Sequence, residues 1–174
     1  MQAQGNPDIA FHGPWLDTTL QHLLVSNRLA QQALQGIPVS ACTDITGFGL
    51  LGHLYEISQQ SDVTLAVDCH NVPLLPGTLS LIRQGVASTL SEANRHILMQ
   101  CEQSEPVDDS LLTALCDPQT AGGLLFCLPG DYAQQALQQL DKAGIAAADI
   151  GKVLVKTPPD HAAILLNSSH TGSV

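Results

Sequence analysis

Apolar residues recur along this chain with two periods, and the switches between them predict its elements. Leu16, Leu20, Leu23, Leu24 and Leu34 mark a first amphipathic helix with Asp17 near its start, closed by Gly36 and Pro38. Ile37, Val39 and Ala41 then alternate with smaller or polar residues, as in a half-buried strand over 37–42. Leu50, Leu51, Leu54 and Ile57 return to helical spacing over about 49–59, and Val63, Leu65 and Val67 alternate in a second strand ending at Asp68. Pro73, Pro76 and Gly77 break the chain before a short helix at 78–84. Over 86–107 the helical signal is weak. A helix through Leu111, Leu112 and Leu115 stops before Asp117-Pro118, because the residue preceding a proline resists the helical region.

The remainder reads as a strand at Leu124–Leu128, then a helix capped by Asp131 that carries Ala133, Ala136, Leu137 and Leu140 to Gly144. Two further strands follow at Ile150–Val155 and Ala162–Leu166. The expected fold class is α/β (α+β layered), with helices packed on one mixed β-sheet. Residues 1–14, with Gly5, Pro7, Gly13 and Pro14 and no periodicity, are expected to be a linker or loop, and 15–174 a single domain. Such a start suggests a piece of a longer chain.

Between the first strand and second helix lies Ala41-Cys42-Thr43-Asp44-Ile45-Thr46-Gly47-Phe48-Gly49-Leu50. Gly47 and Gly49 permit a turn that leaves backbone N–H groups uncovered, and a helix N-terminus behind it carries partial positive charge. That combination suits a phosphate. An Asp beside a phosphate needs a divalent cation between them, so the stretch reads as a metal–phosphate site. The alternative is structural, with Asp44 capping the helix or holding an Asx turn. The full phosphate-loop pattern, with its Gly-Lys-Ser/Thr ending, is not present. A second carboxylate–glycine turn, Asp117-Pro118-Gln119-Thr120-Ala121-Gly122-Gly123, leads into the strand at 124. Alone it is a tight connection, but folding can bring both turns to one sheet edge.

Composition narrows the function classes. Six basic against sixteen acidic residues, a formal charge of −10, argue against nucleic-acid binding and against docking on an anionic membrane. The same deficit of cations makes Mg²⁺ the expected charge carrier if a nucleotide is handled. With aromatics at only 3%, the core must be built from Leu, Ile, Val and Ala. No apolar run approaches the ~20 residues that span a bilayer, and no signal-peptide pattern precedes the first helix. Five cysteines without a Cys-x-x-Cys pair are read as free thiols of a cytoplasmic protein. Cys42 is read as a small buried hydrophobe near a strand end. His53 is read as a packed or surface residue rather than a ligand, because no metal-type histidine pairing accompanies it.

The stretches Thr43–Leu54 and Cys116–Leu125, in this order and separation, closely resemble the selenophosphate synthetase (selenide, water dikinase) family, within the aminoimidazole ribonucleotide synthetase superfamily. Trp15 and Ser26-Asn27-Arg28 are similar to the family's lead-in, Pro73–Gly85 to its Pro-x-x-Pro-Gly segment, and Gly144–Gly151 to its closing turn. The resemblance covers the family's C-terminal domain. It implies an enzyme that makes selenophosphate, AMP and phosphate from ATP, selenide and water. It further implies two α/β domains, usually a homodimer, and ATP held between the domains with Mg²⁺. On this resemblance Asp44 corresponds to a metal-binding Asp, and Thr43, Thr46, Gly47, Phe48 and Gly49 fall in the phosphate-facing loop. The family's Cys-x-x-Lys-type pair belongs to its N-terminal domain, so no residue here inherits a catalytic role. Ala121 stands where the family often has Ser, and Asn94-Arg95 falls near an Asn/Arg stretch without an assigned role. Other members of the superfamily, such as a thiamine-monophosphate kinase or a hydrogenase-maturation dehydratase, and a non-catalytic binding module are the alternative readings.

Overall fold

The computed structural model describes residues 13–156 and 162–168. The leucine-rich start forms two helices, α1 (Gly13–Leu23) and α2 (Asn27–Ala33), where the spacing predicts one. Ser26 causes the break: in extended conformation it caps α2, its hydroxyl accepting from the Arg28 N–H. Gly13 and Pro14, expected in a linker over 1–14, form the first turn of α1, where the missing proline N–H sacrifices no bond. The rest of that expected linker lies outside the described residues.

Strand β1 (Ala41–Asp44) begins later than the alternation suggests, since Ile37 is buried in a loop and Val39 is exposed. Helix α3 (Gly49–Ser61) follows, ending where Asp62 turns left-handed at φ 52°, a region Asp tolerates better than most residues. Next come β2 (Val63–Asp68), α4 (Thr78–Arg83), α5 (Ser91–Asn94), β3 (Cys101–Gln103) and α6 (Asp109–Cys116). The chain continues through β4 (Leu124–Cys127), α7 (Ala133–Lys142), β5 (Gly151–Val155) and β6 (Ile164–Asn167). Asp131 does not cap α7. It lies in a 3₁₀ turn, and Tyr132 opens the helix without a side-chain cap.

The fold class is α/β with mixed strand pairing, but the strands divide into two sheets instead of one. Four strands stand in the order β3-β6-β2-β5, with β6 parallel to both neighbours and β5 antiparallel to β2. The other sheet is an antiparallel ribbon of β1 and β4, with Cys42 opposite Phe126 and Asp44 opposite Leu124.

This ribbon joins two apolar cores. Leu125 enters the larger one, with Leu51 and Leu54 of α3, Leu65 and Val67 of β2, Leu111, Leu112 and Leu115 of α6, and Ile164 and Leu166 of β6. Leu124 and Phe126 project to the opposite face, against Ala30 of α2, Leu34 just after it, and Ala136 and Leu140 of α7. Burying a leucine as fully as Leu51 in the larger core or Leu140 in the smaller stabilises by about 1.5–3 kcal/mol, so both helix layers hold the ribbon firmly. Its end, where Asp44 and Leu124 pair, is thereby fixed between α3 and the loop preceding β4.

Candidate functional site

The two carboxylate–glycine turns are brought together, and backbone hydrogen bonds extend the ribbon into both. The Ile45 N–H donates to the Gly123 carbonyl at 3.0 Å, the Gly122 N–H to the Ile45 carbonyl at 3.2 Å, and the Gln119 N–H to the Thr46 carbonyl at 3.0 Å. Gly122 is required by this closeness. A Cβ there would overlap the Ile45 carbonyl oxygen and approach the Ile45 Cβ to 2.9 Å. On the far side the Asn27 Nδ2 donates to the Gly122 carbonyl at 3.2 Å, tying α2 to the second turn.

Helix α5 fastens the turns from another direction. The Asn94 Nδ2 donates to the Gly47 carbonyl at 2.9 Å and to the Cys116 carbonyl at 3.0 Å. One turn earlier the buried Ser91 hydroxyl donates to the Asp117 carboxylate at 2.8 Å. Gln119 Nε2 approaches the same carboxylate at 3.4 Å. Asp117 therefore serves as a local acceptor that organises its own turn. Arg95 points elsewhere, to Thr113 Oγ1 and Asp109, each at 2.6 Å. With Arg83 it lines a separate open groove of about 630 Å³ along α4, α5 and α6.

Within the first turn, Gly49 has φ 68°, and a Cβ on it would lie 2.6 Å from the Cys116 carbonyl carbon and oxygen. Only glycine combines that left-handed backbone with contact against the end of α6. Phe48 precedes α3 without a side-chain cap; the Gly49 N–H donates to the Thr46 carbonyl at 3.1 Å, and the amides that follow at the start of this thirteen-residue helix have no side-chain acceptor. The Phe48 ring is exposed and meets the His53 imidazole edge-on, with centroids 5.9 Å apart. Thr46 is half-buried, its N–H donating to His53 Nε2 at 3.1 Å.

Asp44 and Thr43 lie on opposite faces of the ribbon. Asp44 is exposed, beside the α2–α7 face, whereas the hydroxyl of half-buried Thr43 donates to the neighbouring Asp44 carbonyl at 3.3 Å. Among the described residues no hydrogen bond or ion pair engages the Asp44 carboxylate. It is a hard oxygen donor open to solvent, which fits one ligand of a Mg²⁺ ion. It is not a complete set, for among the described residues no three His, Cys, Asp or Glu side chains are grouped to hold a metal. After partial desolvation, the Asp44 charge is the second cause that pushes the thiol of nearby Cys42 up. Cys42 is exposed, contrary to the expectation of a buried hydrophobe.

Ser91 and the bridging role of Asn94 escape the sequence pattern, because a four-residue helix shows no apolar period. His53 is packed, as its place in the α3 pattern suggests, at 6% exposure.

These features define a class: an α/β domain with paired carboxylate–glycine turns at the end of a two-stranded ribbon. The sequence model of the family described as AIR synthase related protein, C-terminal domain, matches residues 16–158, and the chain belongs to that family. It is 34% identical over 131 residues to selenide, water dikinase 2 of Peptoclostridium acidaminophilum, covering 75% of this chain and 38% of that protein. It is 33% identical over 150 residues to selenide, water dikinase of Geobacter metallireducens, covering 86% and 43%. The chain thus spans about two-fifths of the length of these curated relatives. Among solved structures, the hydrogenase maturation protein HypE of E. coli superposes with a TM-score of 0.50 at 20% identity, covering 91% of this chain and 42% of that one. That likeness concerns the fold.

Proposed function

We propose that this domain forms one wall of the MgATP site of a selenide, water dikinase, the enzyme that makes selenophosphate, AMP and phosphate from ATP, selenide and water. The observation that carries the reading is the start of α3, which has no side-chain cap and follows the exposed Asp44 by one short glycine turn. In this reading the amides after Gly47 hold phosphate oxygens, Phe48 and Thr46 flank them, and Asp44 supplies one ligand to Mg²⁺. Bound Mg²⁺ supplies charge neutralisation for phosphoryl transfer. The chain's own task is positioning: the Asn94 bridge and the paired turns hold the helix end still while the phosphates are seated. The remaining ligands and the reactive groups belong to an opposing N-terminal domain, with which the protein works as a cytoplasmic homodimer. Support comes from the relatives' names and from the Thr43–Leu54 and Cys116–Leu125 stretches. Among the described residues no helix is long and apolar enough to cross a membrane.

The test is titration of isotopically labelled chain with MgATP, read at backbone amides. Shifts confined to residues 46–52, saturating in the millimolar range and losing their Mg²⁺ dependence in Asp44→Asn, are expected. Shifts that leave this turn untouched overturn the assignment, and micromolar affinity of the chain alone overturns the one-wall reading. The chain by itself is expected to show no selenide-dependent ATP consumption.

A further inference from the structure

We propose that His53 and Glu56 form a positioning pair that sets which amides of the first turn are offered to a phosphate. His53 is one turn inside α3 and nearly buried, yet both ring nitrogens have polar partners. The Thr46 backbone N–H lies 3.1 Å from Nε2 and has only a donor role, so Nε2 must be the unprotonated, accepting nitrogen. The ring proton is therefore on Nδ1, which donates to Glu56 Oε2 at 3.0 Å. The two contacts enforce one another: the carboxylate selects the Nδ1–H tautomer, and that tautomer alone can receive the Thr46 amide.

This arrangement has a consequence for the turn. With its N–H directed inward, Thr46 contributes no backbone donor to a ligand, and the peptide plane between Ile45 and Thr46 is fixed. The Gly47 carbonyl is held in turn by Asn94, and the Thr46 carbonyl before it accepts from the Gly49 and Gln119 N–H groups, so the turn is anchored on both sides of the Thr46–Gly47 peptide. The Thr46 hydroxyl also lies 3.1 Å from Nε2, whose single lone pair already faces the Thr46 N–H. Because Nε2 carries no proton, the hydroxyl can engage it only as a second donor that shares the lone pair with the N–H. The proposal rests on the nucleotide reading for its ligand, but its chemistry is a property of this chain alone.

The experiment measures the imidazole ¹⁵N shifts of His53 and the hydrogen exchange of the Thr46 amide, at neutral pH, in wild-type chain and three variants. The expected result is an Nδ1–H imidazole and a Thr46 amide that exchanges about tenfold or more slower than Gly47. His53→Gln, which can place an amide oxygen near the Nε2 position, should preserve that protection, and His53→Leu should abolish it. Glu56→Ala changes a half-exposed helix position without disturbing the core, and should move the ring toward the Nε2–H tautomer and speed Thr46 exchange. An Nε2–H ring in the wild type overturns the proposal. So does Thr46 exchange unaffected by His53→Leu, or a tautomer ratio unmoved by Glu56→Ala. MgATP, added to each variant, separates the two readings. Weaker binding in His53→Leu with retention in His53→Gln extends the pair's role to the ligand. Absence of any MgATP response in the wild type defeats the nucleotide reading, while the tautomer and exchange still decide this one.

Discussion

Asn94 reaches across from a four-residue helix to donate one amide group to two carbonyls, that of Gly47 at 2.9 Å and that of Cys116 at 3.0 Å. The first belongs to the turn behind Asp44, and the second to the last residue of α6, just before the Asp117 turn. A single side chain thereby sets the spacing of both. Asn94→Asp keeps the shape but sets a carboxylate oxygen against two carbonyl oxygens. We expect a loss of about 1–3 kcal/mol in urea unfolding at unchanged slope, with Ser91→Ala at the lower end of that range.

Gly49 and Gly47 stand two residues apart and should behave oppositely. Gly49→Ala meets the left-handed backbone penalty of roughly 1–2 kcal/mol, and in addition a Cβ 2.6 Å from the Cys116 carbonyl. Gly47 has nothing within 4 Å of an added Cβ, so Gly47→Ala should change stability by no more than about 0.5 kcal/mol. Paired thermal melts check the contrast, and equal melting temperatures would refute the contact geometry.

The second turn offers a similar pair. Gly122→Ala forces its methyl into the Ile45 carbonyl and should separate the ladder that joins the turns, exposing the Ile45 amide to exchange. Gly123→Ala, with open space around it, should leave that amide protected. Exchange at Ile45 reads the difference directly.

Three core thiols make stability fall at alkaline pH. Burial pushes Cys69 up to about 11, Cys101 to about 12 and Cys116 to about 11; nearby Cys116 and Cys69 add to the rise at Cys101, and Arg95 partly opposes it at Cys116. A thiol raised above its unfolded value near 9 favours the folded state fully below that value. The contribution is lost as pH rises from about 9 through 12. Urea midpoints should therefore drop steadily between pH 9 and 11, and less so in Cys101→Ala. Thiol reagents at lower pH should label exposed Cys42 ahead of Cys69 and Cys116, which react on unfolding.

Helix α3 and strands β2 and β4 are legible in the sequence because each presents an uninterrupted apolar period to a core. The break between α1 and α2 is hidden by leucines that continue across it, although Ser26-Asn27 carries a capping signal. Strand β3 has three residues and was invisible in a segment whose helical signal is weak. The single expected sheet fails for a different reason. Alternation shows which face of a strand is buried, but not its partner, and among the described residues β1 pairs with β4 alone, far along the chain. The carboxylate–glycine turns could be found from residue types. Their joining, and the roles of Ser91, Asn94 and His53, depend on polar contacts between segments with no common period.

The ribbon also fixes an order of events during synthesis. Asp44 pairs with Leu124, so the first turn leaves the ribosome about 80 residues before the strand that completes its backbone ladder. Throughout that interval α3 can coil locally, but Ile45 has no Gly123 to meet and Gly47 no Asn94 for much of it. The start of α3, a short turn after Asp44, is thus completed only once β4 has emerged, and a nascent chain halted before β4 carries its carboxylate on an unformed turn.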